Sequence, residues 1–425
     1  MSMTAALLSL AALLVAIALS VFTRLNVGLL GLGLAYALGI GFVGMTAKEV
    51  SASFPNSLLL TVLGLTFLFG HAKVNGTLDR LTGWAVQLAR GRIGLMPIAF
   101  FALAVFLGTL GAGNIGSVAL LAPVAMEVAT ELAIPPFLMA LMVACGGNAT
   151  AFSPIAPTGA IATSLLARIG LTNVGWHCYA QCLIAHTVMG FGGYLLLGGW
   201  RLLNDAENET QRARMQKLLL SRRQPLNMRH RATLMVLAGM LLLIVRFHLD
   251  VGPVALGAAL LLSLTRLGDE RAALETIPWD TLLVVCGMTV LMGILERTGG
   301  IELCTRALGR LSTPRTAPGV IGLLTGALSA YSSSSGVVLP AFLPTIPSLI
   351  TRIGGGNALA LADSVNIGAH LVDVSPLSTL GALCVAAAAP QERDALYRSL
   401  LLGGLAMIVL GGVYCFVAFS LLRGA

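Results

Sequence analysis

Apolar runs of roughly 17 to 25 residues, the length an α-helix needs to cross a hydrocarbon core, recur along the chain between short polar breaks. They predict spans near residues 4–22, 26–46, 56–73, 136–167 and 178–200, and again near 231–247, 251–266, 279–296, 357–389 and 397–421. Two further stretches do not read as single spans. One is 94–132, interrupted at Gly111-Ala-Gly-Asn-Ile-Gly-Ser117, and the other is 318–350, interrupted at Tyr331-Ser-Ser-Ser-Ser-Gly336. A polar, glycine-bearing break between two apolar arms suits a re-entrant hairpin whose tip lies inside the protein, because bare loop backbone is not tolerated in lipid.

The chain also resembles itself. Gly64-Leu-Thr-Phe-Leu-Phe-Gly70 matches Gly287-Met-Thr-Val-Leu-Met-Gly293 at an offset of 223 residues, and Ser153-Pro-Ile-Ala-Pro-Thr-Gly-Ala-Ile161 matches Ser375-Pro-Leu-Ser-Thr-Leu-Gly-Ala-Leu383 at 222. Such duplication is common in transporter folds. The expected architecture is an all-α polytopic membrane protein of two repeats. The first, 1–200, holds hairpin 94–132 and broken helix 136–167. The second, 232–425, holds hairpin 318–350 and broken helix 357–389. A hairpin enters and leaves on one side, so each half keeps five spans, and an odd number inverts the second repeat relative to the first.

The segment between them, 201–231, carries eight basic residues and is expected on the cytoplasmic side, with both termini outside. Arg24, Lys73, Arg80, Arg90 and Arg92 then fall inside as well, whereas Arg297, Arg306, Arg310 and Arg315 fall outside, against the rule. The first apolar stretch has no basic residue before it and reads as a span, not a cleaved signal. A multi-pass protein of the cell (inner) membrane, in contact with lipid, is the expectation.

Composition narrows the function. With 57% hydrophobic and 10% charged residues and a mean hydropathy of +0.90, the net charge of +8 marks cytoplasmic loops and not a nucleic-acid surface. None of the three lysines (Lys48, Lys73, Lys217) follows a glycine, so there is no G-x-x-x-x-G-K-[ST] phosphate loop to support ATP hydrolysis. No G-x-S-x-G or H-E-x-x-H motif argues for an enzyme. Cys178, Cys182 and His186 share one helical stripe that suits a soft metal, but no fourth ligand is evident and packing is the better reading.

Gly146-Gly-Asn-Ala-Thr-Ala-Phe-Ser-Pro-Ile-Ala-Pro-Thr-Gly159 and Asn366-Ile-Gly-Ala-His-Leu-Val-Asp-Val-Ser-Pro-Leu-Ser-Thr-Leu-Gly381 read as helices broken in mid-membrane, their freed backbone groups available to a ligand. Helix N-termini just after Asn114 and Ser335, and near Pro157 and Pro376, favour an oxyanion. The candidate substrate-binding residues are Asn114, Ser117, Asn148, Ser153, Thr158, Ser334, Ser335, Ser375, Ser378 and Thr379. No Lys or Arg apart from Arg352, at a hairpin end, lies in 108–164 or 326–390, so a dianion lacks a fixed countercharge and a cation should accompany it. Asp373, Thr150 and His370 are the candidate cation-coupling residues. Asp363 is expected nearer a membrane face, and Glu127 and Glu131 at the interface.

These breaks resemble those of the ion transporter superfamily that includes the divalent anion/sodium symporters. More closely, Gly146-Gly-Asn-Ala, Phe152-Ser-Pro, Pro157-Thr-Gly and Asp373-Val-Ser-Pro-Leu-Ser-Thr-Leu-Gly-Ala382 are similar to malonate-type dicarboxylate carriers (MatC-like). The resemblance implies an elevator-type transporter, usually a homodimer, that carries a small di- or tricarboxylate with Na+ or H+ and needs no other cofactor. The symporters' Ser-Asn-Thr tip motif corresponds here to Gly113-Asn114-Ile115 and Ser334-Ser335-Gly336, so only one Asn is kept. Ser117 and the Ser332–Ser335 run supply replacement hydroxyls. A cation/proton antiporter, a channel or an inorganic oxyanion transporter of the same superfamily is the alternative.

Overall fold

The computed structural model describes residues 3–22, 25–77, 80, 92–204, 226–247, 249–330 and 332–421. Most of the basic linker (205–225), Arg24, Arg90 and Tyr331 lie outside the described residues. Helices make up the described chain, without strands. In order they are α1 (Met3–Phe22), α2 (Val27–Gly41), α3 (Ala47–Ser51), α4 (Asn56–Val74), α5 (Met96–Leu107), α6 (Gly113–Leu132), α7 (Pro136–Asn148), α8 (Pro157–Arg168) and α9 (Gly175–Leu196). After the linker come α10 (Met228–Phe247), α11 (Val251–Leu264), α12 (Glu270–Glu275), α13 (Trp279–Thr298), α14 (Gly300–Leu311) and α15 (Ala317–Ser329). Short turns then lead to α16 (Ile346–Ile353), α17 (Ala358–Leu371), α18 (Thr379–Ala387) and α19 (Arg393–Phe416).

Among the described residues five helical stretches are long and apolar enough to cross a membrane: Asn56–Val74, Ile93–Leu132, Ser334–Ile353, Ala358–Ala387 and Arg393–Leu421. A sixth is added if Leu282–Thr298 and Gly300–Leu311, bent by 82°, form one span. That is fewer than the ten spans expected, and for α2 the shortfall is geometric. At 1.5 Å per residue the 15 residues of α2 rise only about 22 Å, short of a ~30 Å core, and the sequence runs had counted flanking loops into the spans. The molecule is nonetheless a polytopic helical membrane protein.

Ile93–Leu132 spans 40 residues. Drawn straight it would reach about 60 Å, twice the hydrocarbon thickness. It turns back instead: α5 and α6 pack on each other and both on α7, with the reversal at Gly108–Ala112. Near the other end, α15 and the segment starting at Ser334 both pack on α17. Central helices α7 and α17 are buried without interruption over 138–148 and 360–371, which accounts for their apolar character on every side.

Interfaces between helices rest on glycine, as expected where lipid offers no hydrophobic drive and close backbone approach must supply the attraction. A Cβ on Gly287 of α13 would lie 1.8 Å from the Gly28 carbonyl of α2, and one on Gly64 of α4 would lie 2.8 Å from the Gly252 carbonyl of α11. Glycines about 222 residues apart thus meet matched surroundings. The same holds at Gly159 and Gly381, whose Cβ atoms would lie 1.9 Å and 2.1 Å from the carbonyls of Ser153 and Ser375. Gly287→Val must therefore force α2 and α13 apart, and a loss of about 1–3 kcal/mol is expected for such overpacking. Gly33→Ala, where a Cβ meets nothing within 4 Å, is the control and should leave the thermal midpoint in detergent unchanged. Equal midpoints for both variants would overturn this account of the interface.

Candidate functional site

Both hairpin tips use residues that cannot simply continue a helix. At the first, Gly111 and Gly113 have φ of 117° and 69°, values that glycine adopts freely. The chain leaves α5 there and enters α6 with Asn114 in the first turn. Any side chain at Gly111 would strike the Phe69 ring and the Ile155 carbonyl. At the second tip, Ser333 Oγ accepts from the Gly336 amide at 3.0 Å, and Ser334 donates to Asp373 Oδ1 at 2.7 Å. Ser329 Oγ lies 2.7 Å from Ser334 Oγ and completes the chain.

The helix starts differ slightly from expectation. α6 begins at Gly113, so Asn114 lies inside it, and α18 begins at Thr379, three residues after Pro376. The delay has a cause: the Ser378 amide closes a turn on the Ser375 carbonyl at 3.0 Å, and Ser378 Oγ also donates to the Asp373 carbonyl. Neither α6, α8 nor α18 has a side-chain cap on its first turn.

Between the tips lies a cavity of about 300 Å³. Its wall holds Asn114, Ile115, Ser332, Ser333, Ser334, Ser335, His370 and Asp373, with Leu377, Ser378, Thr379 and Leu380 at the start of α18. Seven sequence candidates are thereby brought together: Asn114, Ser334, Ser335, Ser378, Thr379, His370 and Asp373. The uncapped N-termini of α6 and α18 open onto the same space, which favours an anion. Asp373, only 7% exposed, gives the wall a carboxylate.

Other candidates sit behind this wall and bond mainly to backbone. Ser117 donates to the Asn114 carbonyl at 3.0 Å, Thr150 to Gly147 at 2.7 Å, and Ser153 to Thr109 at 3.0 Å. Ser375 Oγ accepts from the Leu377 amide at 3.3 Å. Asn148 receives Asn114 Nδ2 on its side-chain oxygen at 2.9 Å and donates its own Nδ2 to the His370 carbonyl at 2.7 Å. His370 Nδ1 sits 2.9 Å from the Asn366 carbonyl, and its ring meets Phe152 edge-on at 4.8 Å. Thr158 belongs to a second cavity.

That second cavity, about 190 Å³, lies across the first tip and shares Asn114, Ile115 and Ser335 with the first. Val62, Phe69, Leu120 and Ile161 line it together with Thr66, Thr158 and Lys73. Sequence reading missed Lys73, because the search for a countercharge covered only the breaks themselves and Lys73 comes from α4. Asp363 is 1% exposed and pairs with His177 Nε2 of α9 at 2.9 Å, a partner that its sequence neighbours do not announce. Glu127 and Glu131 are exposed. On the cysteine stripe, Cys182 Sγ donates to the Asn148 carbonyl at 3.3 Å, and no cluster of three or more His, Cys, Asp or Glu among the described residues is placed to hold a metal.

Parts of the chain match known proteins. Residues 3–151 match the family model described as the dicarboxylate carrier protein MatC N-terminus. The uncharacterized transporter Rv2685 of Mycobacterium tuberculosis (strain ATCC 25618 / H37Rv) is 28% identical over 297 residues, 65% of each chain. The chain thus matches less than two thirds of that relative's length. The uncharacterized transporter Mb2703 of Mycobacterium bovis (strain ATCC BAA-935 / AF2122/97) is 24% identical over 354 residues, 77% of this chain and 78% of the relative. Both relatives are named as transporters. The chain is similar to the MatC-like dicarboxylate carriers over residues 3–151, and its apolar helices fit a multi-pass membrane protein.

Proposed function

We propose that the protein is a secondary active transporter that moves a small di- or tricarboxylate together with a cation, Na+ or H+, by an elevator movement. The observation that carries this reading is the meeting of Asn114 and Ser335, from two different hairpin tips, on the wall of one cavity that also holds Asp373. Uncapped helix N-termini suit the carboxylate, and the buried acid suits the cation. The matched glycine contacts support an assembly of two inverted repeats, 1–200 and 232–425. The exchange of partners between halves, α2 with α13 and α4 with α11, would form the fixed frame, with the hairpins and broken helices as the moving part. A homodimer is the assembly the family likeness suggests. A cation/proton antiporter draws on the same buried acid, and cation exchange without any organic substrate would favour it.

Two tests bear on this proposal. Asn114→Ala and Ser335→Ala should each weaken carboxylate binding, because losing a bond to a charged group costs about 1.5–3 kcal/mol, roughly tenfold to hundredfold in Kd. Unchanged binding to folded, purified variants would remove the tips from the site. In Asp373→Asn the bond from Ser334 can persist on the amide oxygen while the charge is lost. Concentrative uptake into proteoliposomes should then fail while counterflow persists. Sodium and pH dependence identical to wild type would sink the coupling role of Asp373.

A further inference from the structure

Lys73 and Asp373 are the sole Lys, Arg, Asp or Glu side chains on the walls of the two cavities among the described residues, and they stand on opposite sides of the Asn114–Ser335 partition. We propose that this lysine is a specificity-determining residue, receiving the second carboxylate of the cargo in the 190 Å³ cavity while the first stays at the hairpin tips. The inference rests on the reading above and adds the residue that selects dianions over monoanions.

Position favours the role. Lys73 is in the last turn of α4, and α4 is pinned nearby: a Cβ on Gly70 would lie 2.8 Å from the Ala273 carbonyl. The helix therefore holds the ammonium group's stem at a fixed place beside the cavity. Phe69, one turn earlier, touches the first tip at Gly111, so α4 and the tip are in direct contact. Val62, Leu120 and Ile161 give the remaining wall an apolar surface suited to the carbon chain between two charged ends. Lys73 is exposed, so a second carboxylate meets the ammonium group at a solvent-accessible part of the wall, where the pairing is screened but still needs a charged end group. With Lys73 present it gains a partner that a neutral end group cannot use. The bland alternative is a lysine that merely complements the C-terminal dipole of α4, which affects helix stability but not the choice of ligand.

The test compares dicarboxylates with their own monoamides, succinate with succinamate and glutarate with glutaramate, as competitors of carboxylate binding to the purified full chain. In Lys73→Gln the preference for the diacid should fall about tenfold or more, as expected for the loss of a charge-assisted bond. In Lys73→Arg, which keeps the charge, most of that preference should return. Asn114→Ala should weaken diacid and monoamide alike. A wild-type diacid preference in Lys73→Gln, with Asn114→Ala still impaired, overturns the role of Lys73 and leaves the hairpin site standing. Normal binding in Asn114→Ala, or no competition by any acid in the wild-type chain, overturns the site reading and this inference with it. A fall in thermal midpoint with no change in preference assigns Lys73 to helix capping alone.

Discussion

A peptide group stripped of its hydrogen bond is expensive in hydrocarbon, and that cost governs where this chain can stop being helical. The interruptions of α5–α6, α7–α8, α15 and its return arm, and α17–α18 carry buried polar residues, and both hairpin tips and the start of α18 line one cavity. Their polar groups pair across the breaks: Ser153 on the Thr109 carbonyl, Asn148 on the His370 carbonyl, Ser334 on Asp373. What those pairings leave over, chiefly the first amides of α6 and α18, faces the larger cavity. A binding site is thus the residue of a backbone-satisfaction problem solved at the centre of the bundle.

The breaks were legible because glycine, proline and clustered hydroxyls are rare inside apolar runs, and all four occur where those residues appear. The reversal at Gly108–Ala112 and the turn at Ser375–Ser378 follow the same logic. Less legible was the direction of each hydroxyl. Ser117 and Thr150 lie beside breaks in sequence but bond back to carbonyls three residues earlier, a local option open to serine and threonine. Nothing in residue order distinguishes them from Ser335, which faces both cavities. Lys73 and the His177–Asp363 pair were hidden for another reason, since each depends on helices distant in sequence coming side by side. Span boundaries were less legible where a run of apolar letters included loop, as at α2, whose helix ends at Gly41 and not at residue 46.

The two cavities divide the labour of charge. Asp373 is the acid on one wall and Lys73 the base on the other, with a partition of small polar side chains between them. Opposite charges held apart by protein, Asp373 buried and Lys73 exposed to solvent, would favour simultaneous occupation by an anion and a cation over either ion alone. Under the proposed function, cotransport would then need no separate coupling device, because each ion would improve the electrostatic setting of the other.

The bond from Asn148 to His370 joins residues 222 positions apart, the offset that separates Ser153 from Ser375. Under the proposed duplication, equivalent positions that touch lie on the axis relating the two halves. An ancestor assembled from two identical chains would form such a bond in both directions or in neither. Here it runs one way, since His370 sets its ring against Phe152 instead of donating back. The position matching Asp373 in the first half is Ala151, so the acid is single too. If the two halves descend from one ancestral unit, the lone acidic wall arose by divergence after fusion, and a symmetric precursor would carry either two such acids at its centre or none.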